Sequence, residues 1–81
     1  LAQQIRLFPN PTSGSIQVDL SAITQLATLR LMDARGRQLM KRKATQRVTT
    51  LDMKAISPSA GLYFLEVQAG ERQAVLKVMI N

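Results

Sequence analysis

The run Leu62-Tyr63-Phe64-Leu65-Glu66-Val67-Gln68, followed by Ala69-Gly70-Glu71 and then by Gln73-Ala74-Val75-Leu76-Lys77-Val78-Met79-Ile80, decides the fold. Successive side chains of a strand point to opposite faces. Tyr63, Leu65 and Val67 therefore share one face, and Leu62, Phe64 and Glu66 the other. Apolar residues on both faces predict a central strand. Ala69-Gly70-Glu71 reads as a tight reversal. Beyond it Ala74, Leu76, Val78 and Ile80 fall on one side of a seventh strand that runs to the last residues.

Working back from that hairpin, Ile56-Ser57-Pro58-Ser59-Ala60-Gly61 is a turn cluster, and Arg47 to Asp52 is a strand rich in β-branched Val48, Thr49 and Thr50. Leu29 and Leu31 alternate with Arg30 and Met32 up to Asp33-Ala34-Arg35-Gly36, which carries Asp and Gly at the outer positions of a type I turn. That turn closes a hairpin onto a fourth strand, Arg37 to Ala44, and its aspartate is placed to accept backbone N–H groups. Ile16, Val18 and Leu20 alternate with Gln17 and Asp19, as Ile5 and Leu7 do with Arg6. Between them Pro9-Asn10-Pro11-Thr12-Ser13-Gly14 is a loop, because two prolines so close cannot both donate to a ladder. Ser21 to Leu26 is ambiguous and fits one short turn. Seven short strands with frequent turn signals predict an all-β fold, a seven-stranded immunoglobulin-like or fibronectin-like antiparallel β-sandwich. Tyr63 stands where such sandwiches place a tyrosine corner, whose hydroxyl returns to backbone a few residues upstream. A plain core tyrosine at the end of a turn is the other reading. Leu1 to Gln4 reads as a linker remnant (1–4) ahead of one domain (5–81). The chain opens on Leu1 with no basic and apolar leader, so any targeting information is expected elsewhere.

At 81 residues there is room for one small domain, whose apolar 46% is needed as core, leaving little for an enclosed reaction cavity. The chain has neither His nor Cys, which removes the imidazole base, the thiolate nucleophile and the usual zinc, haem and iron–sulfur ligands. A Ser–Lys pair is the remaining nucleophilic option. The aspartates stand on separate segments without calcium-loop spacing, and Pro11 bars Asn10 from glycosylation. The four methionines are scattered as gap-fillers are. These features predict a domain that is not an enzyme and holds no cofactor or metal.

Eleven Lys and Arg against five Asp and Glu give a net charge of +6. The excess is local: Arg35, Arg37, Lys41, Arg42, Lys43 and Arg47 follow one another with no acid between them. Such a stripe fits a polyanion binder, or else a solvated strand pair whose charges discourage edge-to-edge association. Nucleic acid is the less apt partner, since no aromatic lies in the segment to stack on bases.

The motifs in order are Phe8-Pro9-Asn10-Pro11-Thr12-Ser13-Gly14, Asp33-Ala34-Arg35-Gly36-Arg37, Ala60-Gly61-Leu62-Tyr63-Phe64-Leu65, and Lys77 before Val78-Met79-Ile80. Together they resemble the type A C-terminal sorting domain of cargo proteins of the type IX secretion system of Bacteroidetes. That resemblance implies an immunoglobulin-like sandwich carried behind an unknown cargo. It implies recognition at the outer membrane by the secretion machinery, with passage through the periplasm to the cell surface or the medium. It further implies removal by a surface sortase-like protease and, for anchored cargo, attachment to an anionic lipopolysaccharide. By position, Pro9, Asn10, Pro11 and Gly14 form the opening loop, Asp33 and Gly36 the hairpin turn, Gly61 and Tyr63 the entry to the sixth strand, and Lys77, Val78, Met79 and Ile80 the terminal recognition segment. The basic block from Arg35 to Arg47 is heavier than the family pattern, and the last strand carries a single lysine. A strand that closes the fold can offer its backbone edge or its side chains to a receptor. The competing reading is an extracellular fibronectin-like module for carbohydrate or polyanion. Such modules usually display an aromatic platform, for which Phe8, Tyr63 and Phe64 are the available residues.

Overall fold

In the computed structural model, which describes residues 1–56 and 59–81, the period-two runs become β1 (Arg6–Phe8), β2 (Ser15–Asp19), β3 (Ala27–Asp33), β4 (Gln38–Ala44), β5 (Val48–Asp52), β6 (Gly61–Ala69) and β7 (Arg72–Ile80). They pair antiparallel in two sheets, β1-β2-β5 and β4-β3-β6-β7, stacked as the sandwich that the alternation predicts. β6 lies between β3 and β7, the central place that its apolar faces require. It turns into β7 through Gly70 and Glu71. Gly70 has a φ of 61°, the left-handed region that glycine enters without strain.

The inner faces supply the core. Leu29 and Leu31 of β3, Tyr63, Leu65 and Val67 of β6, and Val78 and Ile80 of β7 meet Ile16 and Val18 of β2 and Leu51 of β5. Each such aliphatic side chain contributes about 1.5–3 kcal/mol when fully withdrawn from water. Leu76 is only half-buried, because β7 is an edge strand.

The element ends differ from the periodicity in instructive ways. Arg37 belongs to the turn and not to β4, since its N–H and C=O both bond back to Asp33. Leu20 falls beyond β2, yet it is buried and donates its N–H to the Arg47 carbonyl. Among the described residues two helical turns interrupt the all-β pattern: a 3-10 turn at Ala2–Gln4, and α1 (Met53–Ile56). The second forms because the Asp52 carboxylate accepts the Ala55 N–H at 3.2 Å and caps the turn, while Met53 is withdrawn into the core. Ser21 to Leu26 begins with a turn closed by Ile23 N–H on the Leu20 carbonyl. Ser57 and Pro58 of the turn cluster lie outside the described residues. Among the described residues no helix is long and apolar enough to cross a membrane.

Candidate recognition site

The Asp33 turn is built as its residues require. Its carbonyl accepts the Gly36 N–H at 3.0 Å, and carboxylate Oδ1 accepts the N–H groups of Arg37 and Arg35, each at 2.9 Å. Gly36 has a φ of 88°, which lets the chain reverse into β4. The Arg37 N–H has the largest influence on the Asp33 carboxyl; desolvation, next in size, opposes it, and the Arg35 N–H and the two guanidinium charges add to it, so that the carboxyl is held below its ordinary pKa. Arg37 Nε also approaches Asp33 Oδ2 at 3.3 Å, so one member of the basic block has its counter-charge at hand.

In sheet register Asp33 pairs with Tyr63, and Tyr63 in turn with Val78. The Tyr63 ring is buried, and its hydroxyl donates to the Ser59 carbonyl at 2.7 Å. This is the tyrosine corner, with the return to backbone four residues upstream. Gly61 opens β6 at a φ of 139°, a conformation that side chains rarely adopt. A surface cleft of about 530 Å³ runs between these motifs, lined by Asp33, Arg35 and Arg37 on one side and Ser59, Gly61 and Tyr63 on the other.

The opening loop reaches the same end of the molecule. Asn10 lies beside β7 and uses its side-chain amide as a strand would use its backbone. Nδ2 donates to the Lys77 carbonyl at 2.8 Å, and Oδ1 accepts the Met79 N–H at 3.0 Å. Thr12 then continues as real backbone pairing, donating its N–H to the Met79 carbonyl at 2.9 Å and accepting the Asn81 N–H at 2.8 Å in a parallel bridge to Ile80. The outward edge of β7 is thus already paired from Lys77 to Asn81. The sequence offers either the backbone edge of this segment or its side chains to a receptor, and from Lys77 to Asn81 the backbone groups of that edge are taken up by the loop. What remains available is side chains: Lys77 and Met79 are exposed, whereas Val78 and Ile80 are core.

Thr12 is the residue that the site reading from sequence missed. It is 1% exposed, and its hydroxyl donates to the Ser15 carbonyl at 2.7 Å while accepting the Gly14 N–H at 3.1 Å. The available signal was a threonine between turn residues, a type that folds back onto nearby backbone. Pro9 and Pro11 are exposed on either side of Asn10. Gly14 lends its carbonyl to the Met53 N–H, and a Cβ placed on it meets no atom of the described residues within 4 Å.

The four motifs, scattered along the sequence, are therefore gathered at one end of the sandwich by the pairings Asp33–Tyr63–Val78 and Gly61–Ile80–Thr12. The basic block is not gathered in the same way. Arg35 and Arg37 sit at that end, and Lys41 and Lys43 share the outer sheet face with Arg30 and Thr28. Arg42 lies opposite Leu29 on the other face of the edge strand β4, and Arg47 precedes β5 at the far end.

Comparison with known proteins fits this arrangement. Residues 6–81 match the secretion system C-terminal sorting domain family, and the chain belongs to it. This family is the sorting signal of type IX secretion cargo, which is carried to the cell surface or secreted, and it is not a family of enzymes. The fold is similar to part of PorZ, described as an essential bacterial surface component of the type IX secretion system of Porphyromonas gingivalis. The TM-score is 0.80 at 11% identity, covering 99% of this chain and 12% of that one, so the chain spans only a small part of that protein. No curated protein matches the sequence.

Proposed function

We propose that this chain is a non-catalytic address whose readable part is the end of the sandwich where the opening loop, the Asp33 turn, the Tyr63 corner and the last strand meet. The cargo it serves crosses the periplasm with this domain attached, and the outer-membrane secretion machinery recognises that end. A surface sortase-like protease then removes the domain, and the cargo is joined to anionic lipopolysaccharide or released. The observation that carries this reading is the pairing of Asn10 and Thr12 with β7, which locks the first motif onto the last. A local address needs motifs that are adjacent in space, and long-range pairing supplies that adjacency. The test fuses a passenger ahead of the chain in a host competent for type IX secretion. Protease accessibility of the passenger on intact cells reports delivery. The full domain delivers the passenger, and a version lacking residues 76–81 leaves it in the periplasm; equal delivery by both refutes the proposal.

A further inference from the structure

The outer face of the four-stranded sheet is the one turned away from β1-β2-β5, yet it is not a polar surface. Its rows can be read from the register. Lys43, Thr28, Gln68 and Gln73 form one row; Lys41, Arg30, Glu66 and Val75 the next; then come Gln38, Met32, Phe64 and Lys77, and finally Leu62 and Met79. Apolar side chains from β3, β6 and β7 thus adjoin one another as Met32, Phe64, Leu62 and Met79, with Val75 beside them. Met79 is 41% exposed and Val75 51%, and the other three are half-buried.

The charges on this face are one-sided. Its one carboxylate, Glu66, is 8% exposed and bonded to Arg30 Nη1 at 2.9 Å, while Arg30 Nε donates to Gln38 Oε1 at 2.9 Å. That cross-strand network neutralises Glu66 and leaves Lys41, Lys43 and Lys77 with no acid in ion-pair contact among the described residues. A second copy of the chain docked here would bring lysines against lysines, which rules against self-association through this face. A hydrocarbon surface would have to bury the Arg30–Glu66 pair in the middle of the face, a costly desolvation. What complements an apolar strip edged by unneutralised lysines is a protein segment with apolar side chains between carboxylates.

We infer that the outer face of β3, β6 and β7 is a docking surface for an acidic, apolar segment of a protein partner, with Met32, Phe64, Val75 and Met79 taking its apolar side chains and Lys77 and Lys41 its carboxylates. This rests on the export reading above, because Lys77 and Met79 belong both to this face and to the motif end. It adds the chemistry of the partner and extends the contact beyond that end.

The experiment uses the passenger fused to the whole chain in the secreting host, with a photo-crosslinking amino acid at Val75 or, separately, at Val48, which is exposed on the other sheet at the end remote from the motifs. Peptides captured in cells are sequenced, and delivery is measured in parallel for Lys77→Glu, Lys77→Arg and Val75→Glu. The expected result is capture from Val75 of a peptide combining Asp or Glu with apolar residues, absent from the Val48 position. Delivery is lost in Lys77→Glu and Val75→Glu and kept in Lys77→Arg. Capture of a basic peptide, of lipid, of polysaccharide or of another copy of the chain overturns the inference, as does unchanged delivery by both glutamate variants. If those variants deliver normally while removal of the domain abolishes delivery, this inference fails and the export reading stands. If removal of the whole domain has no effect, the export reading itself fails.

Discussion

Replacing Thr12 with valine keeps the shape of the side chain and removes only its hydroxyl, and so isolates what holds the opening loop against the last strand. Two partners are stranded: the Ser15 carbonyl, which accepts at 2.7 Å, and the Gly14 N–H, which donates at 3.1 Å. A buried polar group left without a partner costs about 1–3 kcal/mol. Ser15 is exposed and Gly14 half-buried, so water reaches part of each group, and the low end of that range applies. The expected loss is about 2–3 kcal/mol for the pair, against a total stability of about 4–12 kcal/mol for a domain of this length. Urea unfolding of the 81-residue chain reads this directly. With a slope near 1 kcal/mol per molar urea, the midpoint falls by about 2–3 M. Thr12→Ser keeps the hydroxyl and loses one buried methyl group, about 0.5–1.5 kcal/mol by analogy with Ile→Val. Amide exchange of Asn81, bonded to the Thr12 carbonyl, speeds up in the valine variant in step with the loosened loop. A valine variant as stable as the parent, or a serine variant that is the worse of the two, refutes the reasoning.

Tyr63→Phe removes the bond to the Ser59 carbonyl while leaving the ring in the core, and costs about 1 kcal/mol in a urea titration. Gly61→Ala destabilises the chain by about 1–3 kcal/mol through backbone strain at its φ of 139°, although the new methyl group meets no neighbour among the described residues. Gly14→Ala, with the same open space and no left-handed φ, stays within about 0.5 kcal/mol of the parent in the same assay. The carboxyls of Asp33 and Asp19 are both held below the ordinary value of 3.8, Asp33 first by the Arg37 N–H and Asp19 first by the Ser21 hydroxyl. Their folded pKa values are depressed, so the stability they confer is full above that value and is lost as pH falls through it toward the folded pKa. Thermal melting from pH 6 to pH 2 shows the decline in the parent, and Asp33→Asn makes the decline shallower.

The strands were legible because alternation is local information. Tyr63, Leu65 and Val67 declare one face of β6 wherever β6 lies, and Asp33 with Gly36 declares a turn wherever its strands pair. Edges were blurred where one residue answers to two demands. Arg37 continues the β4 alternation but is held in the turn by the Asp33 carboxylate, and Leu20 continues the β2 alternation but pairs outside the strand. What the sequence could not display is adjacency across many residues. Nothing local in Asn10 says that its amide will meet Lys77 and Met79, sixty-seven and sixty-nine residues away. Nor does a run of six bases say that its members will be split between two faces and both ends of a hairpin. The capped edge of β7 follows from that long-range pairing, and it moves the readable chemistry of the last strand from its backbone to Lys77 and Met79.

The most direct measurement compares two folded variants of equal stability that alter opposite ends of the sandwich. One changes Asn10 to Ala and Lys77 to Glu; the other changes Leu26 to Gln and Arg47 to Gln, at the end remote from the motifs. Each is placed behind the same passenger in a secreting host. The first loses delivery of the passenger to the surface while the second retains it. Equal delivery by the two contradicts the assignment of the address to the end where the four motifs meet.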